Sequence, residues 1–397
     1  MDLQDIRKEL DTVDAQIVSL FEQRMGLAEQ VAEVKKGTGK KVYDREREMQ
    51  KLSAVKALTH NEFNAKGVSE LFQQLMSISR KLQYRKLTEA DCMGRLPFIQ
   101  IPELDKNSKV VYQGAAGSYS EAAMKKFFGN EVLSFHVDTF RDAMLALEEG
   151  SASYAVLPIE NSTAGIVSEI YDLLAEFEHF IVAEQVIRIE HCLMGCDGTT
   201  LDTIERVYSH PQSLMQSEHF LREHASWNQI SMKNNAFAAR KIAEEKDITQ
   251  AAIASAYAAE VYGLNIIKQG VNDARGNSTR FIIVSNQKVF LKDAGKISIC
   301  FEIPHESGSL YHMLSHFIYN GLNMDKIESR PIEGKNWEYR FFVDFEGNLA
   351  DSAVKNALCG LREEAINLRV LGNYELESHD LNIKVSFYDF HTVRLHK

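Results

Sequence analysis

The proline-free stretch from Leu3 to Lys36 constrains the fold of this chain more than any other. Leu3, Ile6, Leu10, Val13, Ile17, Leu20, Leu27, Val31 and Val34 recur at three- and four-residue steps, mostly as heptads, which is the signature of one amphipathic helix. Gly37-Thr38-Gly39 ends it. At 1.5 Å per residue such a helix is about 50 Å long, more than a small domain can cover by itself. Its apolar stripe therefore calls for a partner, most simply the same helix of a second subunit. Two further helical segments follow, near 44–58 and 66–87, so residues 1–90 read as an all-α unit that dimerises.

The chain has 397 residues, too many for one typical core, and two to four domains are expected. A net charge of -11 argues against a nucleic-acid partner, so anionic ligands must be held by local arginines. No apolar run approaches the roughly 18 residues of a membrane span, and the charged N-terminus lacks the apolar core of a signal peptide. Five scattered cysteines fit reduced thiols, and the expected location is the cytoplasm. On that reading the two Asn-Ser-Thr tripeptides, at 161–163 and 277–279, are not glycan acceptors, although both match the acceptor pattern. Each adjoins a strand-like apolar run, and their role has to be found elsewhere.

Residues 92–108 hold two of the six prolines and no helical period, and read as a linker. Beyond it, strand-like runs ("KVVYQG", "SYAVLPI", "TRFIIVS") alternate with helical ones ("SEAAMKKFF", "FRDAMLALEEG"), which is an α/β pattern over 109–285. After a short second linker, 296–376 follows the order βαββαβ of a ferredoxin-like α+β unit. Residues 377–397 run beyond it, and the alternation of Ile383, Val385 and Phe387 suggests one more strand.

Charged residues in the helical unit are spaced as a site would be. Arg24 and Lys35 lie within about 20° of each other on a helical wheel, while Arg7 points elsewhere. Within one straight helix it cannot join them, but in an antiparallel dimer the Arg7 of the second subunit can reach the Arg24–Lys35 pair. Asp44, Arg47 and Glu48 share a helix face, as do Ser79 and Gln83. By spacing alone these are ordinary surface ion pairs. This stretch, however, resembles the all-helical chorismate mutase family, a three-helix protomer that forms an intertwined dimer. Arg7, Arg24, Lys35, Asp44, Arg47, Glu48, Ser79 and Gln83 fall on that family's active-site positions, the last two after a one-residue shift. The resemblance implies that Arg7 comes from the neighbouring subunit. It also implies the conversion of chorismate to prephenate, a pericyclic rearrangement that needs no nucleophile, metal or cofactor. Arginines would hold the two carboxylates in a reactive conformer, with Lys35 and Gln83 donating to the breaking ether oxygen.

In the α/β part, Gly114 and Gly117 precede a helix with Ser118 and Glu121 in capping-box spacing, a ready anion site. Gly114-x-x-Gly117 lacks the dinucleotide-binding spacing. "HCLMGC" (191–196) has no second ligand pair to make a metal site, and His210 before Pro211 reads as a turn residue. Together, Gly114–Ser120, "LPIENS", "YSHPQ" and "NSTRF" resemble prephenate dehydratase over 109–285. That family has two α/β lobes of the periplasmic-binding-protein kind around one cleft. The resemblance makes Thr279 the catalytic threonine, with Arg280 and Phe281 completing its motif, and lines the cleft with Glu160, Asn161, Ser209 and Gln216. Arg280 is left open between holding the retained carboxylate of prephenate and supporting the architecture. Ala115 stands where the family usually has proline.

The C-terminal unit resembles an ACT regulatory domain. Gly308, Ser309 and Leu310 of "ESGSL" and Glu328, Ser329, Arg330 and Pro331 of "ESRP" match its effector motifs, which implies phenylalanine as effector at a paired interface. The reading is a bifunctional enzyme acting on chorismate and prephenate, inhibited by phenylalanine, and a homo-oligomer (a dimer or dimer of dimers). Its rivals are a non-catalytic amino-acid sensor built from the same parts, and an enzyme that keeps one activity only.

Overall fold

The computed structural model describes residues 2–89, 97–306 and 308–376. The 377–397 extension and its expected strand lie outside the described residues. The chain divides into two compact units: Met1–Leu104, Leu174–Phe180 and Gln287–Tyr374 form one, and Asp105–Leu173 with Ile181–Asn286 the core of the other.

In the first unit the long helix runs Leu3–Thr38. Asp2 caps it in a capping box with Asp5, and Gly39 closes it in the left-handed region at φ 65°. Ala28 and Ala32 are buried along it, but Leu3, Leu10, Ile17 and Leu20 are each more than half exposed. The heptad stripe read from the sequence is thus uncovered within one chain. Asp44 caps the second helix (Arg45–Lys56) by accepting from Arg47 N at 3.0 Å. The third helix, Glu62–Glu89, buries Met76, Ser79, Gln83, Tyr84 and Leu87.

The same unit contains the C-terminal strands Lys296–Glu302, Met324–Pro331, Tyr339–Glu346 and Ile366–Tyr374, with helices Ser309–Tyr319 and Ser352–Glu364 between them. The strands pair antiparallel, in the spatial order second, third, first, fourth. Phe301, Phe317, Phe345, Val354 and Leu361 form the core between sheet and helices. Sequence reading separates the helical segment from this C-terminal one. The structure packs them together because the outer face of Glu62–Glu89 carries Arg80, Lys81 and Tyr84, whose partners lie on the two C-terminal helices.

The second unit is two α/β lobes. In the first, Val110–Gln113 pairs parallel with Ser134–Val137 and with Tyr154–Asn161, while Ser278–Ser285 runs antiparallel to Tyr154–Asn161. The second lobe is a five-stranded sheet around Gln250–Ser255, all six of whose residues are buried. A strand flanked on both sides and covered on both faces reads as a continuous apolar run, here "QAAIAS". No helix among the described residues is long and apolar enough to cross a membrane.

Candidate active sites

A cavity of about 610 Å³ opens between the lobes of the second unit. Its wall includes Gly117, Ser118, Asn161, His191, Gln216 and Thr279. Gly117 is glycine for two reasons: its φ is 82°, and a Cβ would sit 3.1 Å from Ala258 Cα on the helix packed against it. Ser118 caps the helix Tyr119–Phe128, as the capping-box spacing suggests. Two N–H groups of the expected anion site are already taken, Gly117 N by the Glu121 carboxylate at 2.6 Å and Glu121 N by Ser118 Oγ at 3.2 Å.

The two Asn-Ser-Thr tripeptides face each other on adjacent antiparallel strands. Thr279 is the register partner of Asn161, Ser162 N donates to Ser278 O at 2.8 Å, and Ser278 N donates to Ser162 Oγ at 2.9 Å. Asn161 Oδ1 accepts from the backbone N–H groups of Thr163 and Ala164 at 3.1 and 2.9 Å. Backbone amides only donate, so the Asn161 amide has one possible orientation. Its Nδ2 then donates to Asn277 Oδ1 at 2.7 Å and to Thr279 Oγ1 at 2.8 Å.

The polarity propagates. Asn277 accepts through its oxygen, so its Nδ2 donates, to Gln216 Oε1 at 3.1 Å. Gln216 Oε1 is therefore an acceptor, and His191 Nε2, 3.1 Å away, must carry a hydrogen. Burial lowers the His191 pKa and favours the neutral ring, which leaves Nδ1 bare toward the Tyr119 hydroxyl at 3.0 Å. The Thr279 hydroxyl, already accepting from Asn161, keeps its own proton for a group in the cavity.

The other expected residues of this unit lie as follows. Phe281 lines the cavity two positions after Thr279 and is buried. Arg280 projects from the strand between them, where it meets Glu184 at 3.2 Å and Glu160 at 3.3 Å. That pairing fits the architectural side of the alternative left open by the sequence. Glu160 is engaged by the same guanidinium. Ser209 is fully buried and donates to Ile253 O at 2.6 Å, with Asn235 Oδ1 at 3.1 Å, while Asn235 itself lines the cavity. His210 both lines the cavity and caps the helix Pro211–Met215, accepting from Gln212 N at 3.2 Å. The sequence singles out neither Tyr119 nor Thr163, raises His191 only in a metal site that it sets aside, and gives Asn277 no role. The one available signal was the repeated tripeptide itself.

The helical segment gathers a second cluster. Arg24 bonds to Leu75 O at 2.8 Å and to the Ser79 hydroxyl. Lys35 Nζ donates to Val42 O at 2.8 Å. Burial lowers the pKa of both cations, and neighbouring carboxylates, Glu48 among them, oppose it. Gln83 is buried, with Nε2 donating to Ser79 O at 3.2 Å and Oε1 without a partner among the described residues. Glu48 is bound by Arg80, which sequence reading missed, at 2.6 Å. Arg47 is exposed, as is Arg7, which lies about 25 Å from Arg24 along the same helix. One chain therefore brings together Arg24, Lys35, Glu48, Ser79 and Gln83 but not Arg7. Of the C-terminal residues, Gly308 starts the helix Ser309–Tyr319 at φ 82°, and Glu328–Pro331 end the edge strand Met324–Pro331.

Residues 110–289 match the family model of prephenate dehydratase, and residues 6–84 that of chorismate mutase type II. A bifunctional chorismate mutase/prephenate dehydratase of Pseudomonas aeruginosa is 32% identical over 378 residues, 94% of this chain and 97% of the relative. Among solved structures, a prephenate dehydratase from Arthrobacter aurescens in complex with L-Phe superposes with a TM-score of 0.63 at 29% identity, covering 68% of this chain and 90% of that one. A protein described as GqqA, a novel type of quorum quenching acylase, gives the same TM-score at 32% identity, covering 68% and 98%. Fold and sites define an enzyme with an isomerase segment and a carbon–oxygen lyase segment on one polypeptide. The chain belongs to the bifunctional chorismate mutase/prephenate dehydratase family. It converts chorismate to prephenate and prephenate to phenylpyruvate, in aromatic amino acid biosynthesis.

Proposed function

We propose that Thr279 is the acid-side group of the dehydratase reaction and that Asn161, Asn277 and Gln216 hold it in register. Prephenate loses its ring carboxylate as carbon dioxide, and the electrons of the broken C–C bond aromatise the ring. They expel the ring hydroxyl, which must leave as water and needs a proton. A threonine hydroxyl is too weak an acid to surrender its proton outright, but it stabilises the departing oxygen by hydrogen bonding. The observation that carries this reading is the Asn161–Thr279 bond, which makes Thr279 an acceptor on the protein side and a donor toward the cavity. Replacing Thr279 with Val should abolish phenylpyruvate formation and leave chorismate consumption intact; loss of both would sink the division of labour.

In the helical segment, Arg24, Lys35, Arg47, Asp44, Glu48, Ser79 and Gln83, with Arg7 of a second subunit, form the mutase site. The uncovered apolar stripe of Leu3–Thr38 supports a dimer that supplies that Arg7, and the working location is the cytoplasm. The C-terminal unit acts as a phenylalanine-binding ACT domain through Gly308–Leu310 and Glu328–Pro331. Two observations support this: the strand order is ferredoxin-like, and the span shared with the L-Phe complex is longer than residues 110–289 alone provide. Assaying both steps with and without phenylalanine tests the effector assignment, and an unchanged dehydratase rate would overturn it.

A further inference from the structure

Carboxylates are disfavoured at the C-terminal end of a helix, where unpaired carbonyls make the potential negative. The helix Ser352–Glu364 nevertheless ends on Glu363-Glu364. A local rule broken without local compensation points to a tertiary reason. Neither side chain is spent on solvent, and both reach the helical segment of the same compact unit.

The Glu364 side chain, 5% exposed, takes Arg80 in a two-pronged pair, Nε at 2.8 Å and Nη2 at 3.1 Å. The third nitrogen of that guanidinium, Nη1, holds Glu48. The carboxyl of Glu364 is held down to about 2, its burial outweighed by His316 and Arg80. Glu363 accepts from Tyr43 N at 2.8 Å, Val42 N at 3.3 Å and the Tyr84 hydroxyl at 3.1 Å. Val42 is the residue whose carbonyl holds Lys35, and Tyr43 precedes Asp44, the cap of the helix that carries Glu48. Gly360, one turn earlier, is where the elements close: a Cβ there would collide with the His316 ring and lie 3.2 Å from Tyr84.

We propose that Glu363 and Glu364, with Arg80, are positioning residues of the chorismate mutase site, through which the C-terminal unit sets Lys35, Asp44 and Glu48. This rests on the mutase-site reading above. Arg80 divides one positive charge between two carboxylates, so Glu48 is oriented by a fixed guanidinium yet not fully neutralised, and keeps lone pairs for a substrate hydroxyl. Without Glu364 the whole cation falls to Glu48, which becomes a weaker acceptor, and Arg80 loses its second anchor. Without Glu363 the Val42–Tyr43 segment is released, and Lys35 with it.

The test uses the full-length protein and the isosteric variants Glu364→Gln and Glu363→Gln, with both reactions assayed separately. Misplacing a reacting group by about 1 Å can cost about 100-fold, so a mutase kcat about 10- to 100-fold lower is expected. KM should change less, dehydratase kcat should be unchanged, and Glu364→Asp, which keeps the charge, should recover part of the loss. Mutase kinetics within about twofold of the parent in both Gln variants would overturn the proposal. So would a parallel fall in both activities with a lower melting temperature, which is the mark of a merely structural role. Glu48→Gln separates the two readings. If it leaves mutase activity intact, the site assignment fails and takes this proposal with it. If it abolishes activity while Glu364→Gln and Glu363→Gln do nothing, only the positioning role fails. Should Glu364→Gln not fold, Arg80→Met combined with Glu364→Leu removes both buried charges together, and the same loss of mutase kcat is expected of it.

Discussion

Asn161 Nδ2 lies 2.8 Å from Thr279 Oγ1, and the two residues are register partners on antiparallel strands although 118 positions separate them. The direction of that bond is set by two backbone N–H groups on the far side of the Asn161 amide. Changing Asn161 to Asp keeps the shape and the acceptor toward Thr163 and Ala164 but turns the donor into an acceptor. The Thr279 proton should then swing to the new carboxylate and away from the leaving hydroxyl. We expect dehydratase kcat to fall about 100- to 1,000-fold, the cost of losing one aligned donor at a developing anion, with mutase kcat unaffected. Steady-state assays of both steps check this.

His191 should be neutral, with its hydrogen on Nε2. Nitrogen-detected NMR of the folded protein reads the tautomer directly. Burial depresses its pKa from 6.5, so the unfolded chain takes up the proton first as the pH falls. The associated stability is complete above about 6.5 and is lost as pH drops from there toward the folded-state value. A neutral ring with its hydrogen on Nδ1 would contradict the hydrogen-bond polarity traced from Asn161.

Lys81 is buried between Ser77 Oγ at 2.7 Å and Ser315 Oγ at 2.8 Å, and burial pushes its ammonium down to about 8. Between that value and the ordinary 10.5 the unfolded chain binds the extra proton, so stability should rise with pH across this window. Lys81→Met should flatten that rise in denaturant melts collected from pH 7.5 to 10.5.

Gly117→Ala forces a side chain into a left-handed conformation and against Ala258 Cα at 3.1 Å. The expected loss is about 1–3 kcal/mol of stability, measured by denaturant unfolding. Dehydratase activity should fall too, because the same residue lines the cavity.

Ile17 is 53% exposed in the middle of the heptad stripe. If that stripe is a subunit interface, Ile17→Glu should shift sedimentation toward the monomer and lower mutase activity while sparing the dehydratase. Unchanged sedimentation would remove the interface from this face.

Much of the fold was legible because it follows from short-range periodicity. The three-residue and four-residue steps of Leu3–Val34 determine a helix without reference to anything distant. The capping residues Asp2, Asp44 and Ser118 act within one turn of where they stand. The βαββαβ order of 296–374 could be read in the same way. Spacing placed Arg24 and Lys35 on one face, because a helix converts spacing into direction, while the mutase residues could be read as a set only from the family resemblance.

What the sequence could not supply was the destination of side chains across long separations. Nothing local announces that Asn277 faces Asn161, since their pairing depends on a strand that returns to the first lobe after the whole second lobe has been built. Ser209 looked like a cleft residue, yet it is fully buried, because its hydroxyl is needed by the carbonyl of Ile253 on the neighbouring strand. Arg80 and Glu364, 284 positions apart, carry no local mark of their pairing. By itself the sequence determined the helices, the strands and the two Asn-Ser-Thr tripeptides. Only the tertiary structure decided that the tripeptides meet, which way their hydrogen bonds run, and which buried charges face each other. Those are properties of pairs, and a chain specifies a pair only once it has folded.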